Sequence, residues 1–382
     1  MTVLQQVVVL SLEPWDRVRR RNRLLVDALL ADLSQLQVLF VEPTIAALRN
    51  LRVGRPPHAA LRSIPEHPGV SVLTPVQWMP DRLLPYLAPV SGHAVRRAVD
   101  VLGFDQPVLW VNNHSLARFA VRTGWPVVYD VTDDWLLARI SPGKRRRAES
   151  DDLLLIRKAD VVTVCSPALA ASRGAQREVI VIPNGVDIAH FTTPQPRPID
   201  LGDGPVVVYV GTLHDERLDV QLSCALANEL PNVRFVYIGP DALQAESRRA
   251  LSVRTNVRLL GPRPYEVIPA YLQHADAIIV PHIVSPFTES LDPIKARECL
   301  AVGTPTVATP IAGFRGLGRP VRVATAFAFA QELSAALREV RRTASREDLW
   351  TWTAAGRAFG DGLESAIRMH RLSSRPHSKR AP

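Results

Sequence analysis

The sequence is poor in cysteine: it has three, Cys165, Cys224 and Cys299, with no CxxC pair among them. That spacing suggests neither a zinc site nor a disulfide framework and fits a reducing compartment. Aromatic residues are also sparse, at 6%. They are not interleaved with the basic runs, and no zinc-finger or helix-turn-helix spacing is present, so nucleic acid is not an expected partner. No apolar run reaches the roughly 18 residues of a membrane span. The apolar start at 7–12 lacks a basic leading region and a cleavage signal, so the protein is expected in the cytoplasm. The turn after that run is not Gly-x-Gly-x-x-Gly, which argues against a nicotinamide-dependent oxidoreductase.

What is present is length and apolar content. A chain of 382 residues, 47% hydrophobic and 22% charged, is too long for one ordinary core and suggests two domains. The net charge of +9 is carried mainly by arginine. Its runs at 17–23 and 144–147 can meet an anionic membrane surface, with a solvated face as the bland alternative.

Short β-branched runs alternate with amphipathic stretches, the pattern of βαβ units and parallel sheets. Strands are expected at 7–12, 37–41, 69–73, 108–111, 127–129, 161–164 and 179–182, with a helix at 20–33. Hydrophobic periodicity lapses over 192–205, which is rich in Pro, Asp and Gly and reads as a linker. The series then restarts with strands at 206–210, 233–238, 257–260, 277–280, 306–308 and 321–323, a helix at 220–229, and a long last helix at 348–370. The expectation is an α/β protein of two Rossmann-like domains facing across a cleft. Residues 1–192 form the first domain, 205–345 the second, 346–372 a C-terminal helix packing back on the first, and 373–382 a disordered basic tail. In open α/β sheets ligands bind beyond the strand C-termini, so the cleft is where the site is sought.

The most informative segment is Glu289-Ser-Leu-Asp292-Pro293-Ile294-Lys295-Ala-Arg-Glu298, followed by Cys-Leu-Ala-Val-Gly303-Thr-Pro305. Pro293 suits the first turn of a helix, whose unpaired N–H groups attract a diphosphate. Lys295 and Glu298 lie within a turn of one another and can place a cation and a hydroxyl-binding carboxylate in the same cleft. An ordinary capped helix with solvated charges is the competing reading. A second segment runs Tyr209-Val-Gly211-Thr212-Leu-His-Asp-Glu-Arg217. A glycine there lets backbone approach a phosphate, and Arg217 can neutralise charge on a leaving diphosphate. A third, Pro183-Asn184-Gly185-Val186-Asp187, is physically a tight turn.

Together these segments resemble the retaining glycosyltransferases of family 4, which have the GT-B architecture. The likeness is nearest to the branch of teichuronic-acid and xanthan-type transferases, which carries Asn/Asp-Pro-x-Lys-x-x-Glu in its donor helix. Asp292, Pro293, Lys295 and Glu298 match that form, and the Pro-Asn-Gly-Val-Asp turn matches almost letter for letter. The resemblance runs from the Trp15 region to the last helix and is strongest over 159–310. It departs where Ser290 stands for a family Glu and Thr212 for a family Arg. It implies metal-independent transfer of a sugar, with retention, from a nucleoside diphosphate sugar to a hydroxyl of a glycan, glycolipid or polyol, without a cofactor or metal. Gly211, Asp292, Pro293, Ile294 and Glu298 would hold the donor, Glu298 by the ribose hydroxyls, while Arg217 and Lys295 stabilise the leaving group. A catalytically weak homologue serving as a nucleotide-binding or assembly subunit is the alternative.

On the acceptor side, Trp15 and Arg21 follow the first strand and can hold a phosphorylated or lipid-linked acceptor; equally, they can be packing residues. His114 stands where the family contacts substrate, or is a surface histidine. Asp133 and Asp134 follow the fifth strand at the cleft edge. Asp133 is the preferred acceptor-side carboxylate, acting as base or orienting group, with helix capping by both as the other reading.

Overall fold

The computed structural model describes residues 4–52, 54, 58–77, 88–138, 140–339 and 349–374. In chain order the strands are β1 (Gln6–Leu10), β2 (Gln37–Val41), β3 (Ile45–Ala46), β4 (Ala60–Ile64), β5 (His67–Thr74), β6 (Val76–Gln77), β7 (Val108–Val111), β8 (Val127–Val131), β9 (Val161–Val164), β10 (Ile180–Val181), β11 (Val206–Val210), β12 (Arg234–Ile238), β13 (Val257–Gly261), β14 (Ala277–Val280), β15 (Thr306–Ala308) and β16 (Val321–Val323). They form an eight-stranded sheet ordered β10-β9-β8-β7-β1-β2-β5-β4 and a six-stranded sheet ordered β13-β12-β11-β14-β15-β16.

Runs such as Val-Val-Val-Leu in β1 and Val-Leu-Trp-Val in β7 are buried on both faces because helices cover both sides of a parallel sheet. Alternate side chains then enter opposite cores. Val7, Val9, Val38, Phe40, Val108 and Trp110 pack on one face, while Val8, Leu10, Leu39, Val41, Leu109 and Val111 pack on the other. Pairing is parallel throughout except at β4, which lies antiparallel to β5 at the sheet edge. That strand was not anticipated: four of its five residues, Ala60 to Ser63, are exposed, so it has no buried alternation to betray it.

The sheet order reverses beside β1, between β2 and β7, and beside β11, between β12 and β14. These are the switch points where loops at the strand C-termini splay apart to leave a crevice. The last helix, Trp352–Ser373, returns to the first sheet's domain and lies on the helix Arg21–Asp32. A Cβ on Gly356 would come within 2.6 Å of the Ala28 Cβ, so a glycine is needed where the two helices touch. Thr351 caps this helix by accepting from the Ala354 N–H at 3.2 Å, which starts it later than the 348 expected. Residues 340–348 and the basic tail at 375–382 lie outside the described residues. No helix among the described residues is long and apolar enough to cross a membrane.

Candidate active site

Between the sheets lies a cleft with about 1250 Å³ of empty space, counting its open mouth. Its first wall is made by the loops after β1 and β8, and its second by the loops after β11, β12 and β14 and by the helix Ile294–Val302.

Two glycines set the floor of the second wall. The Gly211 N–H donates to the Ile238 carbonyl at 2.8 Å, and a Cβ on Gly239 would lie 2.0 Å from the Gly211 oxygen. Only glycine can occupy 239, and its φ of +146° is likewise disfavoured for side-chain-bearing residues. A Cβ on Gly211 would meet the Lys295 Cε at 2.4 Å and Nζ at 2.8 Å. The ammonium group therefore lies directly on the strand-loop glycine.

Pro293 is the residue before the helix rather than inside it, with ψ of 120°, and no side chain caps the helix start. This corrects its expected place in the first turn: the segment breaks into a short helix Pro286–Glu289 and the helix Ile294–Val302, and Pro293 turns the chain between them. Lys295 is thus the second residue of a helix that no side chain caps, in the turn where backbone N–H groups carry the positive end of the helix dipole. Burial lowers its pKa, with Glu298 acting against that and Arg217 adding to it. Burial likewise raises the Glu298 carboxyl to about 7, Lys295 opposing.

Arg217 reaches across the cleft. Its Nη2 donates to Asp133 Oδ2 at 3.2 Å, and its guanidinium lies over the Phe287 ring at 5.3 Å from the centroid. Asp133 and Asp134 diverge. Asp133 lines the cleft, whereas Asp134 is buried and takes both Nη1 and Nη2 of Arg173 at 2.9 Å.

Several expected contacts are otherwise engaged. The Asp292 carboxylate accepts from the Asn184 N–H at 2.6 Å and from Arg297 Nη1 at 2.7 Å. It lines the cleft and also fastens the Pro-Asn-Gly turn of the first domain to the start of the helix Ile294–Val302. Arg21 is 4% exposed. It donates through Nε and Nη2 to Asp130 at 3.2 and 3.1 Å and through Nη1 to Asn184 at 3.0 Å. Its guanidinium holds that turn in place, and Arg21 lines the cleft. Trp15 is 8% exposed, packed edge-on against Phe40 and His67 with Arg23 over its ring, and is a core residue. His114 does not line the cleft; it opens the turn His114–Leu116, where burial lowers its pKa with Asp152 and Asp151 nearby. Of the three acceptor-side residues, Arg21 therefore lines the cleft with its guanidinium already paired, while Trp15 and His114 do not line it. The arginine run at 17–23 is also largely spent internally: Arg19 on Glu266, Arg20 on Asp16, Arg21 on Asp130. Glu289, beside Ser290, is drawn outward by two bonds from Arg315 at 2.8 and 2.6 Å.

Residues not anticipated from sequence also line the cleft, among them Glu13, Arg263, Tyr265 and His282. His282 is 5% exposed, and burial, with Lys295 and Arg217 adding, lowers its pKa to about 3, so it is neutral. Glu13, His282 and the Gly239 turn all follow strands at their C-terminal ends, which is the signal that places them.

Residues 204–341 match the family described as glycosyl transferases group 1. TuaH of Bacillus subtilis (strain 168), which carries a provisional name as a teichuronic acid biosynthesis glycosyltransferase, is 26% identical over 229 residues, 56% of this chain and 57% of TuaH. The match thus spans little more than half of that relative's length. Among solved structures, a sucrose-phosphate synthase from Thermosynechococcus elongatus superposes with a TM-score of 0.67 at 18% identity over 97% of this chain and 98% of its own. An α,α-trehalose 6-phosphate synthase from Burkholderia multivorans gives 0.63 at 15% identity, over 99% and 100%. An E. coli structure described as bound with UDP-2-fluoro glucose gives 0.59 at 11%, over 96% and 98%. With two largely parallel sheets facing across this cleft, the chain has the GT-B fold, and the segment 204–341 that matches the group 1 glycosyl transferases forms the cleft's second wall.

Proposed function

We propose that the protein transfers a sugar, with retention, from a nucleoside diphosphate sugar to a hydroxyl of a glycan, glycolipid or polyol. One observation carries the reading: the Lys295 ammonium lies against Gly211 at the uncapped start of the helix Ile294–Val302, with Arg217 on the same cleft. As the anomeric carbon–oxygen bond breaks, negative charge collects on the departing diphosphate. Two cations and unpaired N–H groups already in position stabilise that charge without reorganising. In this reading they take the part of a divalent metal, so chelation by EDTA leaves the rate unchanged. Glu298 receives the ribose hydroxyls, and Ile294 and Pro293 line the donor's path. Asp133, released from Arg217 when the diphosphate claims the guanidinium, orients the acceptor hydroxyl. The likeness to TuaH, named for teichuronic acid biosynthesis, supports a polymer or lipid-linked acceptor. The exposed Lys144, Arg146 and Arg147 supply cations for contact with the anionic membrane that would carry one.

The test is transfer from a panel of nucleoside diphosphate sugars to lipid and glycan acceptors, with the product's anomeric configuration read by NMR. Retention supports the mechanism. Inversion assigns Asp133 the role of base, and binding of a nucleotide without turnover by any acceptor supports the assembly subunit instead.

A further inference from the structure

The arginines that follow β1 meet the cleft unevenly. Arg21 has all three nitrogens engaged: its Nε–Nη2 edge lies on Asp130 at 3.2 and 3.1 Å, and its Nη1 on Asn184 at 3.0 Å. Arg19 is drawn aside, with Nη2 on Glu266 at 2.8 Å, Nη1 3.5 Å from Asp27 and an enclosed Nε. Arg23 has an enclosed Nε and gives its Nη1 to the Asp16 carbonyl. Arg20 differs from all of them. Only its Nη1 is bonded, to Asp16 Oδ1 at 3.0 Å and to the Val18 carbonyl at 3.3 Å. Its Nε–Nη2 edge has no hydrogen-bond partner among the described residues, and neither nitrogen is among the enclosed ones. Arg20 lines the cleft, and its side chain is 24% exposed, so a ligand can reach that edge.

Asp16 sets the direction. Its Oδ1 also accepts from the Val18 N–H at 2.9 Å, so the loop folds on itself and holds the guanidinium by the nitrogen opposite the open edge. Nε and Nη2 carry parallel N–H bonds spaced to match two oxygens of a carboxylate or phosphate. The neighbouring Arg21 makes that pairing with Asp130. The carboxylates nearby compete weakly for the open edge of Arg20. Asp133 is held by Arg217 at 3.2 Å, Asp16 sits on Nη1, and burial raises the Glu13 carboxyl to about 7, with Arg20 drawing it down. The Arg20 charge also helps to lower the pKa of Lys295 on the facing wall, so the space between the walls favours an anion.

We propose that Arg20 recognises an anionic acceptor, docking a phosphate or carboxylate of that molecule on its Nε–Nη2 edge beside the hydroxyl that Asp133 orients. The inference rests on the reading of this cleft as a sugar-transfer site and narrows its acceptor from hydroxyl compounds in general to those that carry an oxyanion. Lys295 and Arg217, the cations assigned to the diphosphate, belong to the second domain, whereas Arg20 belongs to the first. The two anions thus have separate partners.

The experiment titrates glucose 6-phosphate, glucuronate and glucose, by calorimetry, into the wild type, Arg20→Gln and Arg20→Lys, each saturated with the nucleoside diphosphate it binds best. The wild type is expected to bind at least one charged probe about 10-fold to 100-fold more tightly than glucose, the worth of a charge-assisted pair. Which of the two binds separates phosphate from carboxylate. Arg20→Gln is expected to lose the preference, Arg20→Lys, a point charge without the fork, to keep part of it, and both to bind the nucleoside diphosphate as the wild type does. Charged probes that bind the wild type no more tightly than glucose, or bind Arg20→Gln as tightly as the wild type, overturn the assignment and leave the transfer reaction standing. A nucleoside diphosphate affinity that falls in Arg20→Gln also overturns it, by giving the guanidinium to the donor. A wild type that binds no nucleoside diphosphate overturns the reading of the cleft and the inference with it.

Discussion

Replacing Lys295 by Met keeps an unbranched stem of similar reach and removes the charge. The ammonium lies 2.8 Å from where a Cβ on Gly211 would be, close enough to backbone that an arriving phosphate oxygen must contact both. One preorganised donor to developing charge is worth about 2.7–4 kcal/mol, so kcat is expected to fall by roughly 100-fold to 1,000-fold. The loss is separable from unfolding because Lys295 is desolvated in the free protein. Removing a cation that burial disfavours leaves the melting temperature unchanged or raises it. A further consequence concerns Glu298. Lys295 is what opposes the upward shift of its carboxyl, so in Lys295→Met the midpoint of any Glu298-dependent titration moves above 7. Steady-state turnover at saturating donor and acceptor, beside a melting curve, measures both effects. A folded Lys295→Met enzyme within about threefold of wild-type kcat, against the ~100-fold expected, would remove the ammonium from the mechanism.

Other outcomes follow from the same geometry. Glu298→Gln at pH 8, where the wild-type carboxyl is ionised, is expected to weaken nucleoside diphosphate binding by roughly 10-fold to 100-fold, the worth of a charge-assisted hydrogen bond; unchanged calorimetric affinity shows that the helix does not bind ribose. Because the folded Glu298 carboxyl titrates at about 7 against an ordinary 4.5, its stabilising protonated form is complete below about 4.5 and is lost as pH rises through 7. Wild-type stability should therefore fall over that window by up to about 3 kcal/mol from this residue, and Glu298→Gln should flatten the fall. Asp134→Asn should destabilise the fold by about 1.5–3 kcal/mol, the worth of a charged hydrogen bond, because the buried Arg173 keeps Asp152 at 3.3 Å as its remaining carboxylate. Asp133→Asn should leave the melting temperature intact while raising the apparent KM for acceptor, and the reverse pattern would exchange their roles. Gly239→Ala, which forces a methyl onto the Gly211 oxygen, should abolish donor binding in a protein whose first domain still folds, as read by limited proteolysis and calorimetry.

Much of the fold was legible because parallel strands buried on both faces are written as continuous Val, Ile and Leu runs. The expected bounds 37–41, 108–111, 161–164, 206–210, 277–280, 306–308 and 321–323 coincide with observed strands. The edge strand Ala60–Ile64 carries no such run and was invisible. Within the cleft, the residues brought together by Gly211, Arg217, Lys295 and Glu298 were readable because one turn of helix and one strand-to-loop glycine are local features. For Trp15 and Arg21 the sequence gives the loop they follow but not the direction or the partners of their side chains. Trp15 turns into the core against Phe40, and Arg21 meets Asp130, which lies 109 positions further along the chain. Asn184 looked like nothing more than a turn residue, since its partner Asp292 is 108 positions away. Glu13 and His282 carried no motif. What marks them is burial in a cleft shared by two domains, which exists only once both sheets have formed.

The most direct measurement is calorimetric titration of the nucleoside diphosphates UDP, GDP, ADP, CDP and TDP into the purified wild-type protein and into Lys295→Met. The donor-site account predicts that at least one of them binds the wild type at a single site, with its affinity reduced at least tenfold by the substitution. A wild type that binds none of them, or a Lys295→Met protein that binds as tightly as the wild type, contradicts the placement of the diphosphate at Lys295.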